Sequence, residues 1–359
     1  MRVLFVAPNY YPHIGGVERH VREVSLELQK DGHSITILVP KHDSSYGDFE
    51  REGNIEVVRL NKPQTKLFTG LERVLQVAGV SGRFLKADIV NFHDVATMWR
   101  YGLWIYPILR VLGKKVYITF HGWEGHFPPK DKIVARRKLA ARLADGTMCV
   151  GHFIEKWYGT RADVVTYGGV HRSSLPEAHE NSVVFVGRLA KDSGIDSYLR
   201  AWEWIVRDHP ELRLVICGDG AMKKELEDFV CHTGLRNVEF LGLVENPLPY
   251  VTDAKVVFTS GYLGILEAFS RKKPVVAVYD NELKKDYLEM MPDSRRLMWI
   301  ARDSKEVARC VDEALLDREK TERAYRYSLE NSWTKVKEDY YRLWNVDGEH
   351  GESHGGRGR

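Results

Sequence analysis

Along nearly the whole chain, short β-branched runs alternate with segments whose apolar residues recur at helical spacing, and this alternation restricts the fold more than any other feature of the sequence. It is the pattern of β-α units feeding a parallel sheet with helices on its faces. A first series places strands at 2–7, 34–39, 55–60, 88–92, 115–120 and 146–150. Between the first two, Val17, Val21, Val24 and Leu28 recur on one helical face, and Gly32 stops the helix. A second series places strands at 182–186, 212–217, 237–241, 255–259 and 274–278, with helices at 195–206, 222–230 and 265–271 and more beyond Ser304. The polar stretch 171–181, with Ser, Pro and Glu, separates the series as a linker. At 359 residues the chain exceeds what one core usually organises, so the expectation is two Rossmann-like, doubly wound parallel-sheet α/β domains at 1–170 and 182–330. From 347 to 359 the tail has almost nothing to bury, and disorder is expected there.

Composition narrows the class. A content of 43% hydrophobic and 29% charged residues is that of a soluble globular protein, and no apolar run reaches the ~18 to 20 residues that span a bilayer. The opening MRVLFVAP reads as a first strand, because Pro8 and Asn9 leave no room for a signal-peptide core. Cys149, Cys217, Cys231 and Cys310 lie far apart without metal-ligand spacing, as in a reduced cytoplasmic protein without structural zinc. A net charge of +3 is too balanced for a protein that lives by neutralising nucleic-acid phosphates. One basic segment stands out: Lys130, Lys132, Arg136, Arg137, Lys138 and Arg142, interleaved with Ile133, Val134, Leu139 and Leu143. It reads either as a solvated helix whose apolar stripe meets the core, the commoner case, or as a peripheral contact with an anionic membrane.

Chemistry gathers where strands end. In open α/β sheets ligands bind beyond the carboxyl ends of the strands, where glycine turns let backbone amides and helix N-termini reach a phosphate. After the first strand, Gly15 and Gly16 precede a helix and are candidate contacts for a diphosphate or a sugar, although a tight turn would also need glycine. In the second series Arg188 follows Val186 and Gly187, placing a guanidinium fork where it could hold a departing diphosphate; a surface ion pair is its plainer role. Gly218, Asp219 and Gly220 follow the strand ending at Cys217. Further on, Gly261 to Gly264 lead into a helix carrying Glu267, which could accept from ribose hydroxyls or simply partner the helix dipole.

Taken in order, GGVERHV, VVFVGRLAKDSGID, LRLVICGDG, VEFLG, GILEAFSRKKPVVA and SWTKVKEDYYRLW resemble the retaining glycosyltransferases of family 4, with their two-domain GT-B fold, over nearly the whole chain. The resemblance implies that Gly15 and Gly16 approach the donor's sugar or diphosphate, that Arg188 neutralises the diphosphate, and that Glu267 binds the donor ribose while the backbone around Leu263, Gly264 and Ile265 supports the phosphates. It makes His121, in the HGW turn, the histidine near the transferred sugar. It also implies a final helix, 331–346, crossing back to the first domain on Trp333, Tyr340, Tyr341 and Trp344.

Two positions depart from the family pattern. Thr259 stands eight residues before Glu267, where the family carries a second glutamate. Ser193 stands before Gly194 where the family has a lysine, with Lys191 two residues away. The expected activity is metal-independent, retaining transfer of a sugar from a nucleotide-diphosphate donor to a glycan, lipid or small-molecule acceptor, with no cofactor beyond the donor. Arg188, helix N-termini and Lys191 would stabilise the leaving group, and no D-x-D pair occurs to chelate a metal. A catalytically impaired nucleotide-sugar-binding protein is the alternative that Thr259 and Ser193 raise. A nicotinamide oxidoreductase is disfavoured because neither glycine turn has the dinucleotide spacing, and sugar-phosphate epimerisation on the same plan stays open.

Overall fold

A computed structural model of the chain describes residues 1–61, 69–122, 125–172 and 181–346, with the side chains of 69–71 and 73 left out. Most of the expected linker and the whole tail 347–359 lie outside the described residues. Two sheets organise the rest. The first contains β1 (Arg2–Val6), β2 (Ser34–Pro40), β3 (Phe49–Glu52), β4 (Ile55–Leu60), β5 (Ile89–His93), β6 (Lys115–Phe120), β7 (Gly146–Val150) and β8 (Val164–Thr166). Its order is β3-β4-β2-β1-β5-β6-β7-β8, and every pairing is parallel except β3 with β4. The second contains β9 (Ser182–Val186), β10 (Arg213–Cys217), β11 (Val238–Gly242), β12 (Val256–Phe258), β13 (Val275–Val278) and β14 (Trp299–Ala301), in the order β11-β10-β9-β12-β13-β14. In both sheets the order reverses beside the first strand of the series, so each has a switch point at its carboxyl edge.

The strands that the sequence pattern misses are short or exposed. β3 is FERE, exposed at all four positions, and pairs only at the sheet edge. β8 and β14 have three residues each, too few for a period to show. One helix also begins earlier than its periodicity predicts: it runs Tyr262–Ser270, because Gly261 takes an extended conformation and caps it there. Leu263, Gly264 and Ile265 thus lie inside the first helical turn, and Glu267 lies in the second rather than the first.

The domains share apolar packing. Phe153 meets Tyr287 with ring centroids 5.0 Å apart, and Tyr167 meets Tyr262 at 5.0 Å. The helix Trp333–Trp344 joins the first domain: Trp333, Val336, Tyr340, Leu343 and Trp344 are buried in one cluster with Phe5, Val21, Val24 and Leu28. Tyr117 donates its hydroxyl to the Trp344 carbonyl at 3.2 Å. In the basic segment, helix Asp131–Leu143, Arg137 is not part of the charged face. It is buried, 4.1 Å from the Tyr158 ring centroid, and donates to the Gly122 carbonyl at 3.1 Å.

Candidate functional site

The first domain contributes the loop after β1. Gly15 is the extended N-cap of the helix Gly16–Lys30, and no side chain caps the helix there. A Cβ on Gly15 would collide with the carboxylate of Glu18, which is buried in the first turn and pairs with His13 at 3.0 Å. One residue further along the same helix, Arg19 reaches out of the domain: its guanidinium forms an ion pair with the carboxylate of Glu267 on Tyr262–Ser270. The structure thus brings the Gly15–Gly16 end of one domain and Glu267 of the other together through Arg19, a residue with no motif of its own in the sequence. Glu267 is buried, and burial pushes its carboxyl above the ordinary value while Arg19 pulls it back.

The second domain contributes the carboxyl ends of β9, β10 and β12. The turns after β9 and β10 are zipped together: Leu189 N–H donates to the Asp219 carbonyl at 2.9 Å, and Gly218 packs so closely on the Gly187 carbonyl that no Cβ fits. Arg188 projects from this platform with its side chain 71% exposed and bonds Asp192 at 2.7 Å. Among the described residues no hydrogen bond or ion pair joins Arg188 to Glu267 or to the Gly15–Gly16 turn; with Asp192 it forms a separate cluster at the mouth of β9. Lys191 and Ser193 lie on the short turn Lys191–Ser193, with Lys191 exposed. At the start of the helix Tyr262–Ser270, the Tyr262 N–H donates to the Tyr287 hydroxyl at 3.0 Å. Thr259, at the end of β12, is buried, and a Cβ on Gly264 would stand 2.5 Å from its Oγ1. The place of the family's second acid is therefore filled by a small hydroxyl packed against the helix.

His121 directly follows β6 and is buried in a cluster with His93 from the end of β5 and His20 from the helix Gly16–Lys30. His93 Nδ1 and His121 Nε2 are 2.9 Å apart, and the His20 ring meets His121 edge-on with centroids 4.9 Å apart. Burial lowers all three, His20 to about 3 and the others well below the ordinary imidazole value, so the cluster is neutral at physiological pH. The His121 N–H donates to Asp94 Oδ1 at 2.9 Å, and His20 Nε2 lies 2.9 Å from the Tyr340 hydroxyl. Uncharged, His121 can hydrogen-bond a sugar but cannot serve as a cationic acid. His20 and His93 escaped sequence reading because each falls in an apolar stripe, one on a helix face and one in a strand.

Two family patterns together match residues 14–330 of this architecture. The one described as Glycosyltransferase Family 4 matches residues 14–171, and the one described as Glycosyl transferases group 1 matches residues 170–330. The chain belongs to the family 4 glycosyltransferases. Among solved structures, this glycosyltransferase superposes on the sucrose-phosphate synthase of Thermosynechococcus elongatus with a TM-score of 0.77 over 96% of its own chain and 98% of the other, at 17% identity, which gives the GT-B fold. Among curated relatives it is 25% identical to an uncharacterized glycosyltransferase of Methanocaldococcus jannaschii over 65% of its chain and 64% of that protein. It is 21% identical to the alpha-monoglucosyldiacylglycerol synthase of Streptococcus pneumoniae over 95% of its chain and 85% of that protein. A glycosyltransferase of this type acts on a nucleotide-sugar donor.

Proposed function

We propose that this glycosyltransferase moves a hexosyl group from a nucleoside-diphosphate sugar, with retention of configuration and without a metal, onto a lipid or lipid-linked acceptor. The observation that carries the donor half is Glu267: a carboxylate held buried beside a guanidinium, in the helix that starts at the carboxyl edge of the second sheet, is the acceptor that a ribose diol needs. Arg188 and the N-terminus of Tyr262–Ser270 offset the charge that builds on the departing diphosphate. The Gly15–Gly16 turn suits the uncharged sugar better than the phosphates, since Glu18 already sits against it. With Thr259 standing where the family carries its second glutamate, no carboxylate is assigned as a double-displacement nucleophile, and the reading is attack on the donor face from which the diphosphate leaves. The cleft excludes water from that step.

The acceptor half rests on an exposed apolar face of the first domain. On the helix Leu103–Val111 and just beyond it, Leu103, Trp104, Ile108, Val111 and Leu112 are between 41% and 86% exposed. The Tyr106 hydroxyl ties this helix to the end of the basic helix at the Leu143 carbonyl, 2.7 Å away, where Lys132, Arg136, Lys138 and Arg142 are exposed. Apolar side chains beside lysine and arginine match an anionic bilayer surface. Among the described residues no helix is long and apolar enough to cross a membrane, and the streptococcal relative's name states a monoglucosyldiacylglycerol product.

The decisive experiment is a panel of UDP-, GDP- and ADP-sugars with diacylglycerol or polyprenyl-phosphate vesicles, followed by anomeric analysis of the product with and without a chelator. Transfer with retention, insensitive to the chelator, is expected. Donor binding without transfer to any acceptor would favour the alternative that Thr259 raises, a binding protein that keeps the fold and has lost turnover.

A further inference from the structure

The turn that lacks the family's lysine is packed against the strand that leads to another lysine. Gly194, with φ of 78°, ends the turn carrying Ser193, and a Cβ there would collide with Val278, the last residue of β13. The contact is reinforced: the Val278 N–H donates to the Tyr198 hydroxyl at 3.0 Å, and Tyr198 lies in the first turn of the helix that follows Gly194. From Val278 the chain turns through Asn281, whose side chain caps the next helix, Glu282–Glu289, by accepting from the Lys284 N–H at 3.0 Å. Lys284 is only 9% exposed. Its ammonium stands 5.0 Å from the centroid of the Tyr287 ring, and the Tyr287 hydroxyl is the group that meets the Tyr262 N–H at the start of Tyr262–Ser270. Lys284 is therefore fixed between the Ser193 turn on one side and the N-terminus of the donor helix on the other. Arg188 is its neighbouring cation, and Asp192 and Asp280 are the carboxylates that face it.

From this placement we infer that Lys284 supplies the second cation on the leaving diphosphate, replacing from the helix after β13 the charge that Ser193 does not provide from the turn after β9. The inference rests on the donor reading above. Two cations sharing Asp192 are ready to exchange it for a diphosphate: Arg188 bonds it at 2.7 Å, and Lys284 faces it. A partly desolvated ammonium gains more from a phosphate oxygen than one in free water would. Exposed Lys191, the cation nearest to Ser193 in sequence, has no such setting.

The test is calorimetric titration of the full chain with UDP, GDP and ADP and with the matching nucleosides, for the wild type and for Lys284→Gln, Lys284→Arg, Lys285→Gln and Ser193→Lys/Lys284→Gln. Glutamine keeps the stem and a polar head, and thermal melts run alongside check that the variants fold. The expected result is that Lys284→Gln binds the preferred diphosphate at least about tenfold more weakly while its nucleoside affinity stays put. Lys284→Arg and Ser193→Lys/Lys284→Gln should restore most of the loss, and Lys285→Gln, next door on the same helix and paired with Glu282, should resemble the wild type. Diphosphate affinity unchanged in Lys284→Gln, or diphosphate and nucleoside affinity falling together, overturns the assignment. Failure of the wild type to bind any of the three diphosphates overturns the donor reading itself, and this inference with it.

Discussion

Arg19 of the first domain and Glu267 of the second face each other as an ion pair across the cleft. The pair fixes how the two helices approach, and it occupies the carboxylate that the donor ribose is proposed to use. Binding must then share Glu267 between a guanidinium and a diol, so donor affinity and domain closure depend on one group.

A first prediction concerns Glu267 and pH. Its carboxyl is raised above the ordinary 4.5, with burial the largest cause. The folded protein then holds that proton more tightly than the unfolded chain does, and stability is lost as pH climbs from about 4.5 through the folded value. Glu267→Gln should raise the melting temperature at pH 7 and change it little near pH 4. The same variant should bind nucleotide at least about tenfold more weakly. Calorimetric affinity equal to the wild type would exclude the ribose role.

Arg188→Ala should separate chemistry from folding. The side chain is mostly exposed and its partner Asp192 is four residues on in the same loop, an arrangement worth little to stability. Turnover should fall by about 10²-fold or more, the scale of losing one charge-stabilising donor, with the urea midpoint unmoved. Full activity in the variant would take Arg188 out of the site.

Gly264 and Thr259 should behave as a coupled pair. A methyl at 264 would sit 2.5 Å from Thr259 Oγ1, so Gly264→Ala should cost about 1–3 kcal/mol of overpacking. Thr259→Ala in the same chain should recover most of it, and a double-mutant cycle by urea unfolding reads the coupling. Strictly additive losses would show that the helix start does not lean on Thr259.

The histidine cluster should set the acid limit of the fold. In the unfolded chain these imidazoles take up protons near 6.5, whereas His20 in place does so only at about 3. Stability is complete above 6.5 and drains away as pH falls toward the folded values. Melting temperature against pH should therefore drop steeply below 6.5, and His20→Gln should flatten that slope even though it also lowers the plateau.

Where the chain repeats a local rule, its sequence is transparent. β4, β6, β7 and β9 begin and end where their β-branched runs do, because a strand buried on both faces must be apolar along its length. The exposed FERE strand obeys no such rule, since only its partner β4 makes it a strand. The sequence pattern starts the donor helix three residues late because Gly264 reads as a turn glycine; it is glycine to clear Thr259. Arg19 and Lys284 were illegible for a different reason. Each looks like any charged residue on a helix, and only the meeting of distant segments gives it a partner in the cleft. Strand ends pointed to Arg188 and Glu267 and family likeness to His121, yet neither could show that His121 packs with His93 and His20 in a cluster of three neutral rings.

The helix Trp333–Trp344 sets the order in which the chain can be completed on a ribosome. Phe5, His20 and Tyr117 emerge early, and Tyr340 and Trp344, which cover or bond them, emerge some hundreds of residues later. The amino-terminal half must therefore wait, partly open to solvent, while the second domain is synthesised and folds, and it closes only when this helix leaves the exit tunnel. Nascent chains halted before Trp333 should expose that unfinished surface to chaperones, whereas chains halted after Trp344 should not.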